Sequence, residues 1–428
     1  MKKIYLLALS GIISIFSIHA QTPCATGRYS TNLFSNVTVT SDINFGSNTS
    51  AFGIPTQLDL DVYEPTGDTE TARPLIIWAH GGSFIGGSKT DPDVVTLSNE
   101  FAKKGYVCAS MEYRLGMWPI DSSNAIMAVL RGVQDMKAAI RFFYKDKATN
   151  DTYKIDTTRI FIGGSSAGAI TALHLAYLDK DCEVDPYIPL ATLNSLGGME
   201  GDSGNPGYSS DVQGVINLAG ALASYGWIES GDVPFCSLHG DSDGTVPYNR
   251  DYATVSGFDI MILDGSRMLK EQADAMGVEN NLYTHYNADH AVYAFSSQYM
   301  DTTINFVRDF LIDQLGCTDA ALQPANAPSG AANLYNLNYC GLGVEEGPNQ
   351  IIAKIYPNPS NNEVNITFNE GEIISQVSLT DLSGRLINSF DVNNGNLVLY
   401  KNELQAGTYI LHATNSSGKT SASKIIFQ

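Results

Sequence analysis

The stretch Arg159-Ile160-Phe161-Ile162-Gly163-Gly164-Ser165-Ser166-Ala167-Gly168-Ala169-Ile170 decides how this chain is read. After Arg159 its first half is the apolar run Ile160-Phe161-Ile162 leading into two glycines, the pattern of a strand buried on both faces. Its second half opens an Ala-rich segment that predicts a helix over Ala167–Tyr177. Gly164-Ser165-Ser166-Ala167-Gly168 therefore falls at a strand-to-helix turn. A serine that attacks must present its Oγ from a sharp turn, where neighbouring Cβ atoms would collide, so small residues must flank it. Ser166 is the candidate nucleophile. Ser165 is a poorer one, because no glycine stands two places after it. The N–H of Ala167 would face an oxyanion near the positive end of the helix.

Upstream, a second apolar strand, Pro74-Leu75-Ile76-Ile77-Trp78-Ala79, runs into His80-Gly81-Gly82-Ser83-Phe84. Consecutive glycines let the backbone turn N–H groups inward, so Gly81 and Gly82 are candidate oxyanion donors beside Ala167. His80 reads as a structural, hydrogen-bonded histidine. Downstream lies His239-Gly240-Asp241-Ser242-Asp243-Gly244-Thr245-Val246-Pro247, after a strand ending at Leu238. A catalytic imidazole needs a carboxylate to fix its tautomer, and Asp243 or Asp241 could serve. Tyr286-Asn287-Ala288-Asp289-His290 then offers His290 as the base, with His285 as the main competitor. His174 falls inside the helix after the Ser166 turn, and His412 lies far down the chain.

Strands alternate with helices from about residue 50 to 315, with helices expected over 93–104, 124–144, 266–276 and 299–315. This predicts an α/β fold: a mostly parallel sheet with helices on both faces. The segment from Glu183 to Asp211 is rich in Gly, Ser, Asn and Pro, and reads as an insertion that forms a lid or loop over a site. Residues 318–350 read as a linker. Residues 351–428 carry short alternating strands split by turns, the pattern of a small all-β sandwich.

Residues 1–20 have a short basic start, an apolar run and a small-residue end. They read as a secretory signal peptide, too short for a confident membrane span. The hydrolytic unit is then expected over 21–317. Export permits disulfides, and six cysteines admit 15 pairings. Cys108 and Cys236 lie in apolar runs and read as buried strand thiols; Cys24, Cys182, Cys317 and Cys340 are the bridge candidates. No His/Cys cluster has metal-ligand spacing.

The chain carries 25 basic and 45 acidic residues, a net charge of −20. Residues 21–317 hold 18 of the basic and 36 of the acidic ones, so the acidity belongs to that unit. It argues against nucleic acid as a partner and against strongly anionic polymers as substrates.

The order Ser166, Asp243, His290 and the motifs around it resemble an α/β-hydrolase of the carboxylesterase/lipase kind, near the hormone-sensitive-lipase and feruloyl-esterase-like groups. His80-Gly81-Gly82, Tyr113-Arg114-Leu115, Asp156 with Arg159, the Gly164–Gly168 turn, and His239-Gly240 with Asp243 and Val246-Pro247 carry the resemblance. The family's HG-x-x-D-x-x-VP pattern puts the acid on Asp243. Ser83 and Ala169 depart from the family's usual glycines, which bears on substrate range. Residues 351–428 resemble the C-terminal sorting domain of the Bacteroidetes type IX secretion pathway. That match is carried by Tyr356-Pro357-Asn358-Pro359-Ser360, Asp381-Leu382-Ser383-Gly384-Arg385, Ala406-Gly407-Thr408-Tyr409 and Lys424-Ile425-Ile426.

The resemblance implies a secreted serine ester hydrolase, extracellular or on the outer face of the outer membrane, that needs no metal or organic cofactor. Its partners would be a small-molecule or polymer-borne ester, on acyl or feruloyl groups or other neutral esters, and the type IX machinery. The alternatives are a prolyl-oligopeptidase-like peptidase, a polyester or lipid hydrolase, and a non-catalytic surface-binding protein. Trp118 and Trp227, with the 183–211 segment, are candidates for shaping the acyl pocket.

Overall fold

The computed structural model describes residues 26–317, 319–328, 334, 351–369, 371, 373–381, 385–390, 396–402, 404–416 and 420–427. The expected signal peptide, Cys24, Cys340, most of the 318–350 linker and residues 382–384 of the sorting motif lie outside them.

The strands are β1 (Val37–Thr49), β2 (Pro55–Pro65), β3 (Arg73–Ala79), β4 (Val107–Met111), β5 (Ile155–Ser165), β6 (Gly214–Leu218), β7 (Ala221–Leu222), β8 (Phe235–Gly240), β9 (Arg250–Val255), β10 (Phe258–Gly265) and β11 (Asn280–His285). Between them run α1 (Pro92–Lys103), α2 (Ser122–Ala148), α3 (Ala167–Tyr177), α4 (Asp181–Val184), α5 (Leu190–Ser195) and α6 (Ser266–Met276), with α7 (Ser297–Gln314) closing the unit. Eight strands form one sheet in the order β1-β2-β4-β3-β5-β6-β8-β11. β1, β2 and β4 pair antiparallel, and every pair from β4 to β11 is parallel.

The apolar run of β3 is buried along its whole length, as expected for a strand covered on both faces. One face packs under α2, α3 and α6, the other under α1 and α7. The Asp121 side chain caps α2 by accepting from the Asn124 N–H at 2.8 Å. Pro92 opens α1, and Gly105 in the left-handed region ends it.

Two features differ from the sequence expectation. β9 and β10 form a hairpin that sequence alternation did not reveal, and with β7 they make a separate three-stranded sheet. Its two-residue turn, Ser256-Gly257, has both φ values positive, the type I′ geometry that matches strand twist. The 183–211 segment is also only partly a lid. It contains α4 and α5, but its later half is docked. The Ser203 carbonyl accepts from Ser47 N on β1, and the Ser203 hydroxyl donates to Asp135 on α2 at 2.6 Å.

In the C-terminal part, β12 (Ile352–Tyr356), β13 (Glu363–Phe368) and β16 (Asn396–Tyr400) form one antiparallel sheet. A second is made by β14 (Ile374–Asp381), β15 (Leu386–Phe390), β17 (Gly407–Asn415) and β18 (Thr420–Phe427). Val364, Ile366 and Leu399 of the first sheet share a core with Val377, Leu379 and Leu411 of the second. Cys182 and Cys317 are each engaged in a disulfide, whereas Cys108 on β4 and Cys236 on β8 are free and buried. Among the described residues no helix is long and apolar enough to cross a membrane. No group of three or more metal-ligating side chains occurs among them either.

Candidate active site

The site gathers at the C-terminal ends of the parallel strands. β5 delivers Ser166 to the first turn of α3 with φ 54° and ψ −115°, a conformation costly for a side-chain-bearing residue. Gly164 and Gly168 make the turn possible: a Cβ on Gly168 would lie 2.1 Å from the Ala79 carbonyl oxygen, and one on Gly164 would lie 2.4 Å from the Gly168 carbonyl carbon. The Ser166 N–H donates to Leu218 O of β6 at 2.8 Å, which ties the strained residue to the sheet.

His290 sits in the loop after β11. Its Nε2 is 2.8 Å from Ser166 Oγ, and its Nδ1 is 2.6 Å from Asp243 Oδ2. An ionised carboxylate only accepts, so Nδ1 carries the proton and Nε2 is free to receive one from Ser166. Asp243 follows β8 and its side chain is fully buried. Its Oδ1 accepts from Thr245 N at 2.8 Å and Val246 N at 2.9 Å. Burial pushes the Asp243 carboxyl up, but hydrogen bonds from His239 and His290 outweigh it and hold the group well below the usual carboxylate range.

The rivals are placed elsewhere. Asp241 accepts from Asn287 N at 2.6 Å and so braces the His290 loop from outside. His285 ends β11, packed edge-on against Tyr283 and Tyr299, and burial pushes its imidazole down to about 4. His80 is buried, with Nδ1 2.7 Å from Gly81 O, stacked on Tyr113 and facing Glu112 at 3.4 Å. The Tyr113 hydroxyl donates to His80 O at 2.9 Å, so the tyrosine fixes the Gly81-Gly82 loop. Arg114 beside it is clamped by Asp135 on α2, both buried, with Nε 2.9 Å from Oδ1. Arg159 lies 3.5 Å from Asp156 on β5.

Among the described residues, the Gly81, Gly82 and Ala167 N–H groups donate to no protein acceptor outside regular secondary structure. The backbone of Gly81 approaches Ser166: a Cβ on Gly81 would lie 3.5 Å from the Ser166 Cβ.

An apolar pocket opens at Ser166. Its floor follows α3 through Ile170 and His174 to Leu178, roughly 18 Å at the helical rise. Its walls come from α2 (Ile126, Val129, Leu130) and the hairpin (Val255, Ile260, Met261), with Val184 and Tyr187 from the 183–211 segment. Trp227 lines it, whereas Trp118 does not and is 70% exposed. Burial pushes the His174 imidazole down to about 4 and the Glu183 carboxyl up to about 7.

Three side chains escaped the sequence reading. Tyr293 bonds Ser165 Oγ at 2.8 Å and Leu218 O at 3.1 Å, supporting the turn from below. Asp289 accepts from both His290 N and Gly244 N, joining the two loops that carry the imidazole and the acid. His239 contacts Asp243. Its motif was visible in sequence, but its partners come from distant elements.

Sequence comparison finds relatives for two parts of the chain. Residues 60–221 match the family model described as BD-FAE, and residues 354–428 match the model described as Secretion system C-terminal sorting domain. Residues 60–221 are thus similar to carboxylesterase-like α/β-hydrolases, and residues 354–428 to a type IX sorting domain, a tail that indicates secretion and association with the cell surface. Carboxylesterase 3B of Mus musculus is 33% identical over 115 residues, 26% of this chain and 19% of that protein. Arylacetamide deacetylase-like 2 of Homo sapiens is 28% identical over 172 residues, 40% of each chain. The chain thus spans less than half the length of the curated relatives it matches. Among solved structures, Thermogutta terrifontis esterase 2 phosphorylated by paraoxon aligns at a TM-score of 0.47 and 19% identity, covering 67% of this chain and 96% of that one.

Proposed function

We propose that this protein is an exported serine carboxylic ester hydrolase. The observation that carries the reading is the hydrogen-bond chain Ser166–His290–Asp243, set on a strained turn at the mouth of an apolar pocket. Ser166 Oγ attacks the ester carbonyl while His290 Nε2 takes its proton. Asp243 holds the imidazole tautomer and stabilises the imidazolium. The N–H groups of Gly81, Gly82 and Ala167 receive the oxyanion, helped by the N-terminal dipole of α3. His290 then protonates the leaving alcohol, and a water activated by the same imidazole releases the acid.

The apolar walls and the net negative charge favour an ester that is uncharged overall with an apolar acyl group, in line with acyl or feruloyl esters. In this reading residues 21–317 form the hydrolase unit, 318–350 the linker, and 351–428 the segment handed to the secretion machinery at the outer membrane.

Ser166→Ala tests the proposal on short p-nitrophenyl esters. Turnover should fall by about four orders of magnitude or more; undiminished turnover overturns the assignment. A serine-directed phosphonate should label the parent and not the variant.

A further inference from the structure

His239 lies next to the proposed acid and takes no part in the steps above. Both of its ring nitrogens are occupied, and the surrounding bonds fix which one carries the proton. Gly220 N donates to Asn217 Oδ1 at 2.8 Å, which fixes the orientation of the Asn217 amide. Asn217 Nδ2 then donates to Ser266 Oγ at 3.0 Å and to Ser237 Oγ at 2.9 Å. Ser266 Oγ also lies 2.7 Å from His239 Nδ1, while His239 Nε2 faces two groups that only accept, so in the neutral ring Nε2 donates and Ser266 donates to Nδ1. His239 Nδ1 is therefore an acceptor, and Nε2 bears the hydrogen. Nε2 is 3.1 Å from Asp243 Oδ2 and 3.1 Å from Val246 O. His239, Ser266, Asn217 and Ser237 are all buried, so water does not supply these bonds.

We infer that His239 is a positioning residue for the Ser166 reaction: held as the neutral Nε2–H tautomer by Ser266 and Asn217, it donates to the Asp243 oxygen that also receives His290. This rests on the proposed roles of Ser166, Asp243 and His290. The two imidazoles divide one carboxylate oxygen between them. The His239 bond spreads charge away from the His290 side and fixes the carboxylate plane, so the shorter 2.6 Å bond to His290 stays aimed along the path to Ser166. Other titratable groups facing this cluster are Asp241 and Asp289 on its loops, His285 at the end of β11, Tyr248, whose ring meets His239 edge-on, and Tyr293, which interacts with Asp243 from below the Ser166 turn.

The test compares His239→Leu, His239→Gln, Ser266→Ala and Asp243→Asn in the full chain, by the pH profile of kcat/KM on p-nitrophenyl esters. Loss of a donor to a charged acceptor predicts a fall in kcat of roughly 10- to 100-fold for His239→Leu. The acid limb of the profile should also move to higher pH, because the full carboxylate charge then faces His290. His239→Gln keeps an N–H near the Nε2 position and should restore most of the rate and the parent limb. Ser266→Ala leaves the imidazole in place but frees its tautomer, and should reproduce the direction of the His239→Leu shift. A folded His239→Leu or Ser266→Ala protein with the parent profile overturns the inference, as does a glutamine variant as slow as the leucine one with an unmoved limb. An active Asp243→Asn variant would instead overturn the underlying assignment of the acid.

Discussion

Gly168 lies directly beneath the carbonyl of Ala79, so close that a Cβ on it would sit 2.1 Å from that oxygen. The contact joins the end of β3, which leads into the Gly81-Gly82 loop, to the first turn of α3, which carries Ser166. The two halves of the proposed oxyanion site are thereby held at backbone contact distance. Gly168→Ala should force them apart. We expect a loss of about 2–3 kcal/mol in stability, seen in thermal unfolding, together with a larger fall in kcat than in affinity.

Asp243→Asn should leave the fold intact and disturb the His290 tautomer, because an amide nitrogen can donate where the carboxylate only accepts. Under the proposed mechanism a fall in kcat of about 10^4 is expected, the size seen when the acid of a Ser-His-Asp triad becomes an amide. Steady-state kinetics on a p-nitrophenyl ester, with circular dichroism as a folding control, checks it.

The Arg114–Asp135 pair is structural, joining the segment after β4 to α2 and, through Ser203, to the docked half of the 183–211 segment. Asp135→Ala would leave a buried guanidinium without its counter-ion. A loss of about 3–5 kcal/mol is expected, read as a lowered urea midpoint. A midpoint equal to the parent's would refute the buried-pair argument.

Ile170 lies one helical turn beyond Ser166 on the pocket floor. Ile170→Trp should close the pocket to long acyl groups and spare acetyl esters. The ratio of octanoyl to acetyl kcat/KM should drop by at least about tenfold. A series of p-nitrophenyl esters of increasing chain length measures it.

Glu183 gives a pH dependence of defined sign. Burial raises its carboxyl to about 7 in the folded chain, above the unfolded value. Between about 4.5 and 7 the folded state therefore holds more protons than the unfolded one, and this group's contribution to stability falls as pH rises. Glu183→Gln should remove that slope. His174 and His285, pushed down to about 4 by burial, act in the opposite sense: their contribution is present above about 6.5 and is lost as pH falls toward 4. Urea unfolding at a series of pH values separates the two.

The turn around Ser166 was legible because its constraint is local: a strained φ and two close approaches demand glycines at fixed spacing. His290 was legible because few histidines competed for a loop after the last core strand. The hairpin of β9 and β10 was not. Tyr252, Phe258 and Ile262 are exposed, so apolar residues stand where a half-buried strand would show polar ones and the alternation is erased. The contacts of His239 were hidden for another reason. They depend on Asn217 and Ser266, which only the sheet order brings beside β8. The docking of Ser203 likewise depends on the edge position of β1, which no composition signal records.

The two thiols inside the sheet bear on how this chain would acquire its bridges. Cys108 and Cys236 stand on β4 and β8, and burial raises both thiols well above their ordinary values, so neither presents a thiolate for exchange. Once those strands are in place, only Cys24, Cys182, Cys317 and Cys340 remain to be oxidised, and four cysteines admit three pairings where six admit 15. A chain that formed these strands before oxidation would therefore choose among a fifth as many cross-link patterns.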